Sequence, residues 1–217
     1  MYKYIFFDLD GTLTNSMEGI IKSLEYSFDK MNLPRPPMET LKKFIGPPLT
    51  VSFHELMGFD DEQSEKAIAF YRERYLEKGL FENAPFDGIP EMLENARESG
   101  KILAVATSKP EFMAKTVTDY FDLTKYFVTV SGSADESEDK EAVIRKAMKR
   151  LKLPESAVDE ILMVGDRKHD IIGAHKCNIK CCGVGFGFAP EGEFAEYGAD
   201  YTVETVDELK EFLINLT

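Results

Sequence analysis

Cysteine is scarce in this sequence. Only Cys177, Cys181 and Cys182 are present among 217 residues, an odd set crowded into one short stretch. Such a set does not staple a disulfide framework and suits a reducing, cytoplasmic setting. A CxxxCC metal site is the alternative, opposed by the strand-like run in which Cys181 and Cys182 fall. Long apolar runs are missing as well, and nothing approaches the ~20 residues of a membrane helix. The opening MYKYIFFDLDGTL passes straight into acidic residues, which sets the expectation of no signal peptide. Positive charge is in deficit, with 26 Lys and Arg against 39 Asp and Glu and a net charge of −13. A nucleic-acid backbone is therefore not the expected partner. A small anion is still admissible, because a local cationic pocket and a metal outweigh a distant negative surface. Internal repeats and low-complexity tracts are absent. The expected partner is a small molecule, and the expected state a monomer or weak homodimer.

What is present is a globular composition, 43% apolar and 30% charged, long enough for a core domain carrying a smaller insertion. Short apolar runs at 4–7, 102–106, 127–131, 161–164 and 180–184 read as buried strands. Amphipathic segments at 89–99, 111–120, 140–152 and 170–177 lie among them and predict helices. This alternation signals a doubly wound, Rossmann-like parallel α/β sheet. From Asn15 to Asn83 no strand pattern occurs. Helical patterns fill 18–31, 38–44, 49–57 and 61–78, punctuated at Pro34, Pro36–Pro37, Gly46–Pro48 and Gly58. The expected organisation is thus an α/β core from 1–14 and 84–217, with a helical domain inserted at 15–83.

The strongest chemical signal is Asp8-Leu9-Asp10-Gly11-Thr12-Leu13, directly after the first strand. Ligands of open α/β sheets bind at the carboxyl ends of strands, so Asp8 is expected in that crevice. Two carboxylates so close repel unless they share a cation or a proton, and Gly11 permits the turn that follows. An acidic turn capping the next helix is the competing reading, which accounts for one Asp but not two. Thr107-Ser108-Lys109-Pro110 closes the second strand, offering a hydroxyl and backbone N–H groups at a helix start: an anion site, or simply an N-cap. Lys140 opens a helical segment, where a cation is unfavourable; it has another task or is solvated surface. Gly165-Asp166-Arg167-Lys168-His169-Asp170 follows a further strand, its two Asp suggesting a metal ligand and a supporting partner.

Taken in order and strand context, DLDGTL, Thr107, Lys140 and GDRKHD resemble the haloacid dehalogenase-like superfamily, over essentially the whole chain. The 15–83 insertion looks like that superfamily's helical cap. Ile45-Gly46-Pro47-Pro48-Leu49 and the overall layout resemble its phosphoglycolate phosphatase and 5′-nucleotidase-like branch. The resemblance implies a phosphatase in which Asp8 is the nucleophile, forming an aspartyl-phosphate, and Asp10 the general acid and base. It implies Mg²⁺ held by the side chains of Asp8 and Asp166 and the backbone carbonyl of Asp10. Lys140 supplies further positive charge, and Asp170 orients Lys140 or a metal-bound water. Thr107 and the Ser108 amide hold the transferring oxygens. Thr12, Ser108, Lys109, Gly46 and Pro47 complete the expected substrate contacts.

Other readings stay open. A phosphomutase shares these motifs, and a non-enzymatic phospho-Asp signalling or interaction protein is a further alternative. A dehalogenase has no need of an acid at Asp10. The glycine-rich 183–187 run lacks dinucleotide-fingerprint spacing and reads as a turn packed beside the site. His169 reads as a surface histidine, and the acidic 135–139 stretch as a solvated loop or a second cation site.

Overall fold

The computed structural model describes residues 2–134 and 138–216. The chain divides into two compact units, Met1–Asn15 with Pro85–Thr217, and Ser16–Ala84. The first unit carries strands β1 (Tyr4–Phe7), β2 (Ile102–Pro110), β3 (Thr129–Ser133), β4 (Ile161–Gly165), β5 (Lys180–Val184) and β6 (Tyr201–Val203). They form one parallel sheet in the order β3-β2-β1-β4-β5-β6. Ile5, Phe6 and Phe7 of the central strand are fully buried. Successive strand residues face opposite sides, so an unbroken buried run requires cover on both faces. One face packs Phe6, Ala104, Met163 and Cys181 against Ile144, Ala147, Ile171 and Ala174. These last four lie on α7 (Lys140–Arg150) and α8 (Lys168–Lys176). Helices α5 (Ile89–Glu98), α6 (Glu111–Tyr120), α9 (Glu193–Tyr197) and α10 (Val206–Asn215) complete the unit.

The second unit is wholly helical among its described residues: α1 (Met17–Lys30), α2 (Met38–Lys42), α3 (Leu49–Met57) and α4 (Asp61–Arg74), the last running on into a π-helical turn at Tyr75–Gly79. Its boundaries follow local chemistry. Asp60 caps α4 by accepting the Gln63 backbone N–H at 2.8 Å, while the Gln63 side chain accepts the Asp60 N–H at 3.1 Å. Gly58 ends α3 in the left-handed conformation. Phe28, Phe44, Phe53 and Phe59 make a ring cluster, with Phe53 stacked on Phe59 at 5.6 Å between centroids. The Phe residues at helical spacing are thus this unit's own core.

Several boundaries differ from those expected. The third strand begins at Thr129 rather than Phe127, because Thr124–Tyr126 forms a short 3₁₀ turn first. The second strand runs on to Pro110, with a register shift against β3 between Ala106 and Pro110. The Thr107–Pro110 segment therefore precedes the helix at Glu111 instead of forming its first turn. β6, α9 and α10 were not anticipated. β6 spans three residues, too few for a periodicity to register, yet α10 had a legible start: Thr205 caps it by accepting the Glu208 N–H at 3.1 Å.

Candidate active site

Strand register brings the motifs to one level. Phe7 pairs with Val105 on one side and Val164 on the other. Asp8 is the first residue after β1, while Thr107 and Asp166 lie two beyond those partners. The strand order reverses between β1 and β4, so the connections leave to opposite faces and open a crevice at these ends. Gly11 makes the turn out of it with φ +83, and a Cβ there would lie 2.1 Å from Asp166 Oδ2. Both the backbone angle and the neighbouring carboxylate thus demand glycine.

Lys140 is the first residue of α7. Asp139 caps that helix by accepting the Ala142 N–H at 3.0 Å. The Lys140 side chain is nearly buried, with Nζ 3.0 Å from Asp8 Oδ1 and 2.8 Å from Asp170 Oδ1, and it donates to the Ala106 carbonyl at 3.3 Å. A lysine at a helix start, unfavourable for the dipole, here carries its charge into the carboxylate cluster. Burial works against that charge, but the Asp170 and Asp8 carboxylates outweigh it and hold the ammonium above the ordinary lysine range. Asp8 also accepts the Leu9 N–H on Oδ1 at 2.8 Å. Burial pushes the Asp8 carboxyl up to about 6 and Asp170 adds to the rise, against the opposing pull of Lys140 and the Thr107 hydroxyl.

Asp166 is fully buried. Its Oδ1 accepts the Thr12 hydroxyl at 3.1 Å and its Oδ2 the Phe188 backbone N–H at 2.8 Å. Burial, then the Asp170 and Asp8 carboxylates, push it well above the usual carboxylate range. Asp170 accepts the Arg167 N–H on Oδ2 at 3.0 Å, while its buried Oδ1 takes no well-angled hydrogen bond despite its nearness to Lys140. Carboxylate oxygens of Asp8, Asp166 and Asp170 lie within 4.8 Å of one another. Three acids against one ammonium leave excess negative charge, and all the donors are hard oxygens. The set fits a divalent cation such as Mg²⁺ or Ca²⁺.

The structure thus gathers Asp8, Lys140, Asp166 and Asp170, with Thr107 beside Asp8. The Asp10 carboxylate turns instead to Lys109, whose Nζ lies 2.8 and 3.2 Å from its two oxygens. Thr12, expected among the substrate contacts, is fully buried and gives its hydroxyl to Asp166. Ser108 presents its carbonyl to the Ser133 hydroxyl at 2.8 Å. Gly46 and Pro47 belong to the helical unit, between α2 and α3, whereas the cluster is built entirely from the α/β unit.

His169, read as a surface histidine, is half-buried, and its Nε2 has no hydrogen-bond partner among the described residues. Burial, then the charges of Arg167, Lys168 and Lys140, lower its pKa. Of the acidic 135–139 stretch, residues 135–137 lie outside the described residues. Glu138 pairs with Lys146 at 3.1 Å and Asp139 with Lys176 at 3.0 Å. The three cysteines are buried free thiols and join no metal-ligating group among the described residues. The functional group that sequence reasoning missed is the Phe188 N–H, a main-chain donor that side-chain patterns do not signal. Its loop is tied again to the same motif by Glu193, which accepts from Arg167 Nε at 3.0 Å and from the Lys168 N–H at 2.8 Å.

A parallel α/β core with buried carboxylates and a lysine at its strand-order reversal makes a site able to hold a cation beside an anionic group. The family description "Haloacid dehalogenase-like hydrolase" matches residues 5–184, and the chain belongs to that family. It is 41% identical to a 5′-nucleotidase of Pseudomonas aeruginosa, over 88% of this chain and 86% of that protein. It is 35% identical to the tyrosine-protein kinase PtkA of Mycobacterium tuberculosis, over 96% of this chain and 72% of that one. The crystal structure of a predicted phosphatase from Clostridium acetobutylicum superposes with a TM-score of 0.92 at 42% identity, covering 100% of both chains. The protein is a phosphatase of this family.

Proposed function

We propose that the protein is a Mg²⁺-dependent phosphomonoesterase acting through an aspartyl-phosphate on Asp8. Its substrate is a small phosphorylated metabolite of the phosphoglycolate or nucleoside 5′-monophosphate class. The observation that carries this is Lys140, held 3.0 Å from Asp8 and 2.8 Å from Asp170 in a cluster of three carboxylates. A lone carboxylate repels a phosphate dianion. One that shares its site with a fixed ammonium and a cation-fitting acid cluster does not. Asp8, Asp166 and the Asp10 carbonyl would hold Mg²⁺, which supplies positive charge to the transferring phosphoryl group. Asp8 attacks phosphorus, and Asp10 gives its proton to the departing alkoxide oxygen. Asp10 then takes a proton from the water that releases phosphate. Thr107, beside Asp8, and the Ser108 amide hold the phosphoryl oxygens. Asp170 fixes the Lys140 ammonium.

The helical unit, Ser16–Ala84, is read as the cap that selects the leaving group, with Gly46 and Pro47 among its specificity residues. Its two chain crossings, at 15–16 and 84–85, suit opening and closing. No described helix is long and apolar enough to cross a membrane, and three free thiols suit a reducing cytoplasm. A small-molecule substrate and a monomeric or weakly dimeric state complete the reading.

Asp8→Asn tests it: turnover of phosphoglycolate and nucleoside monophosphates should fall by at least about 10⁴-fold, and the acid-labile phosphoenzyme should vanish. Near-normal turnover would reassign the nucleophile. Activity persisting in EDTA would remove the metal from the mechanism. The PtkA relative marks a competing kinase reading. The greater identity to the 5′-nucleotidase favours water as acceptor, and ATP-dependent phosphotyrosine formation in a partner protein would reverse that preference.

A further inference from the structure

Lys109 has a place in the fold that a lysine waiting for substrate does not need. Its side chain is 5% exposed, and Nζ reaches both oxygens of Asp10, at 2.8 and 3.2 Å. The segment that carries it is pinned from three directions. The Lys109 N–H donates to Thr107 Oγ1 at 3.2 Å, and the preceding Ser108 carbonyl accepts the Ser133 hydroxyl at 2.8 Å. The Lys109 carbonyl lies so close to Gly132 that a Cβ on that glycine would come within 2.5 Å of it. Holding a lysine still costs rotamer entropy. Here the strand irregularity between Ala106 and Pro110 aims the stem before any substrate arrives.

Asp10, by contrast, lies three residues past the end of β1, in an isolated bridge with Thr14, and is partly exposed, with 20% of its side chain accessible. A carboxyl group so placed has rotamers to choose among. The two-point contact with the ammonium fixes one of them. We infer that Lys109 is a positioning residue, which holds the Asp10 carboxyl group where it exchanges protons with the leaving oxygen and with water. The inference rests on the proposed acid–base role of Asp10, and it assigns Lys109 to that residue instead of to the substrate phosphate.

The test uses leaving groups of different proton demand in otherwise similar phosphomonoesters. 4-Nitrophenolate departs without protonation, whereas the alkoxide from benzyl phosphate must be protonated as it leaves. The parameter kcat/KM reports the first phosphoryl transfer alone, before water is needed. In Lys109→Met, kcat/KM for benzyl phosphate should fall by about 10²-fold, the size of a general acid–base contribution, while that for 4-nitrophenyl phosphate falls no more than a few-fold. Lys109→Gln, a polar and better-tolerated change, should give the same pattern in smaller measure, and Lys109→Arg should recover much of the benzyl phosphate rate. Asp10→Asn run beside them separates the two ideas. If Asp10→Asn shows the leaving-group split and neither Lys109→Met nor Lys109→Gln does, the positioning role is overturned and the role of Asp10 stands. If Asp10→Asn shows no split, the reading of Asp10 fails and the inference with it. A loss equal for both substrates and carried by KM would return Lys109 to phosphate binding, and would likewise overturn the inference.

Discussion

In the helical unit the buried polar residues are serines, Ser16, Ser23, Ser27, Ser52 and Ser64, whereas the α/β unit buries Lys101, Lys109, Lys140, Asp166, Arg167, Asp170 and Glu193. Two of the serines are settled on nearby backbone, Ser23 on the Gly19 carbonyl and Ser27 on the Ala67 carbonyl, each at 2.7 Å. Around them the core mixes the Phe28, Phe44 and Phe53 rings with aliphatic residues such as Ile20, Leu24 and Leu41. The buried charges of the other unit are mostly paired, Arg167 with Glu193, Lys109 with Asp10, and Lys140 with Asp8 and Asp170. Two are not paired with an opposite charge: Asp166 holds only hydroxyl and amide donors, and Lys101 donates only to the Tyr2 and Leu216 carbonyls. Unpaired buried charge is costly, and the crevice sets three acids against one ammonium. The helical unit buries no charged residue, and its cost is the smaller one of three serine hydroxyls, on Ser16, Ser52 and Ser64, without a hydrogen-bond partner among the described residues.

The contrast can be broken in order of expected effect. Lys140→Met should lower kcat/KM about 10²–10³-fold, as loss of a positioned charge does in other active sites. In chelator the same change should cost about 3–5 kcal/mol in urea unfolding, because Asp8 and Asp170 lose their counter-charge. Unchanged values of both would mean that the ammonium serves neither the cluster nor the reaction. Phe53→Ala, in the ring cluster, should cost about 3–5 kcal/mol by cavity formation, and added Mg²⁺ should leave that cost in place. Recovery by Mg²⁺ would show that the two units do not answer to separate forces.

A smaller effect comes from Glu111, at the start of α6, which pairs with Arg150 at 2.8 Å and Lys115 at 2.7 Å. Burial alone would raise its pKa, but these cations and a Gly132 N–H outweigh it and hold the carboxyl down at about 2, below the ordinary 4.5. The folded state thus binds fewer protons than the unfolded one between those values. The contribution, on the order of 2 kcal/mol, is present above about pH 4.5 and lost as pH falls toward 2. Glu111→Gln should therefore be less stable at pH 6 and should flatten the fall between pH 5 and 3. Parallel stability–pH curves for the two proteins would refute the assignment.

Much of the site was legible because strand ends are legible. An apolar run that stops at a charged or hydroxyl residue marks Asp8, Thr107 and Asp166 without any coordinates. Lys140 stood out because it sits where a helix disfavours cations. What stayed hidden involves partners far away in sequence. Thr12 reads as a substrate-facing hydroxyl until Asp166, 154 residues on, is found to accept its hydrogen bond. The Phe188 amide has no side-chain signature at all. The pairing of Lys109 with Asp10, 99 residues away in sequence, is likewise invisible in the sequence.

The sequence by itself determined the position of five of the six strands, most of the helices and the polar residues that gather near the strand ends. Each of these follows from local periodicity, turn residues and the burial of short apolar runs. Tertiary structure alone decided the pairings: which carboxylate meets which ammonium, which oxygen an amide satisfies, and which acids are left in excess. Those outcomes depend on distances and desolvation across the sheet. Charge in a low-dielectric crevice is governed by its nearest neighbours in space, and no one-dimensional pattern records them.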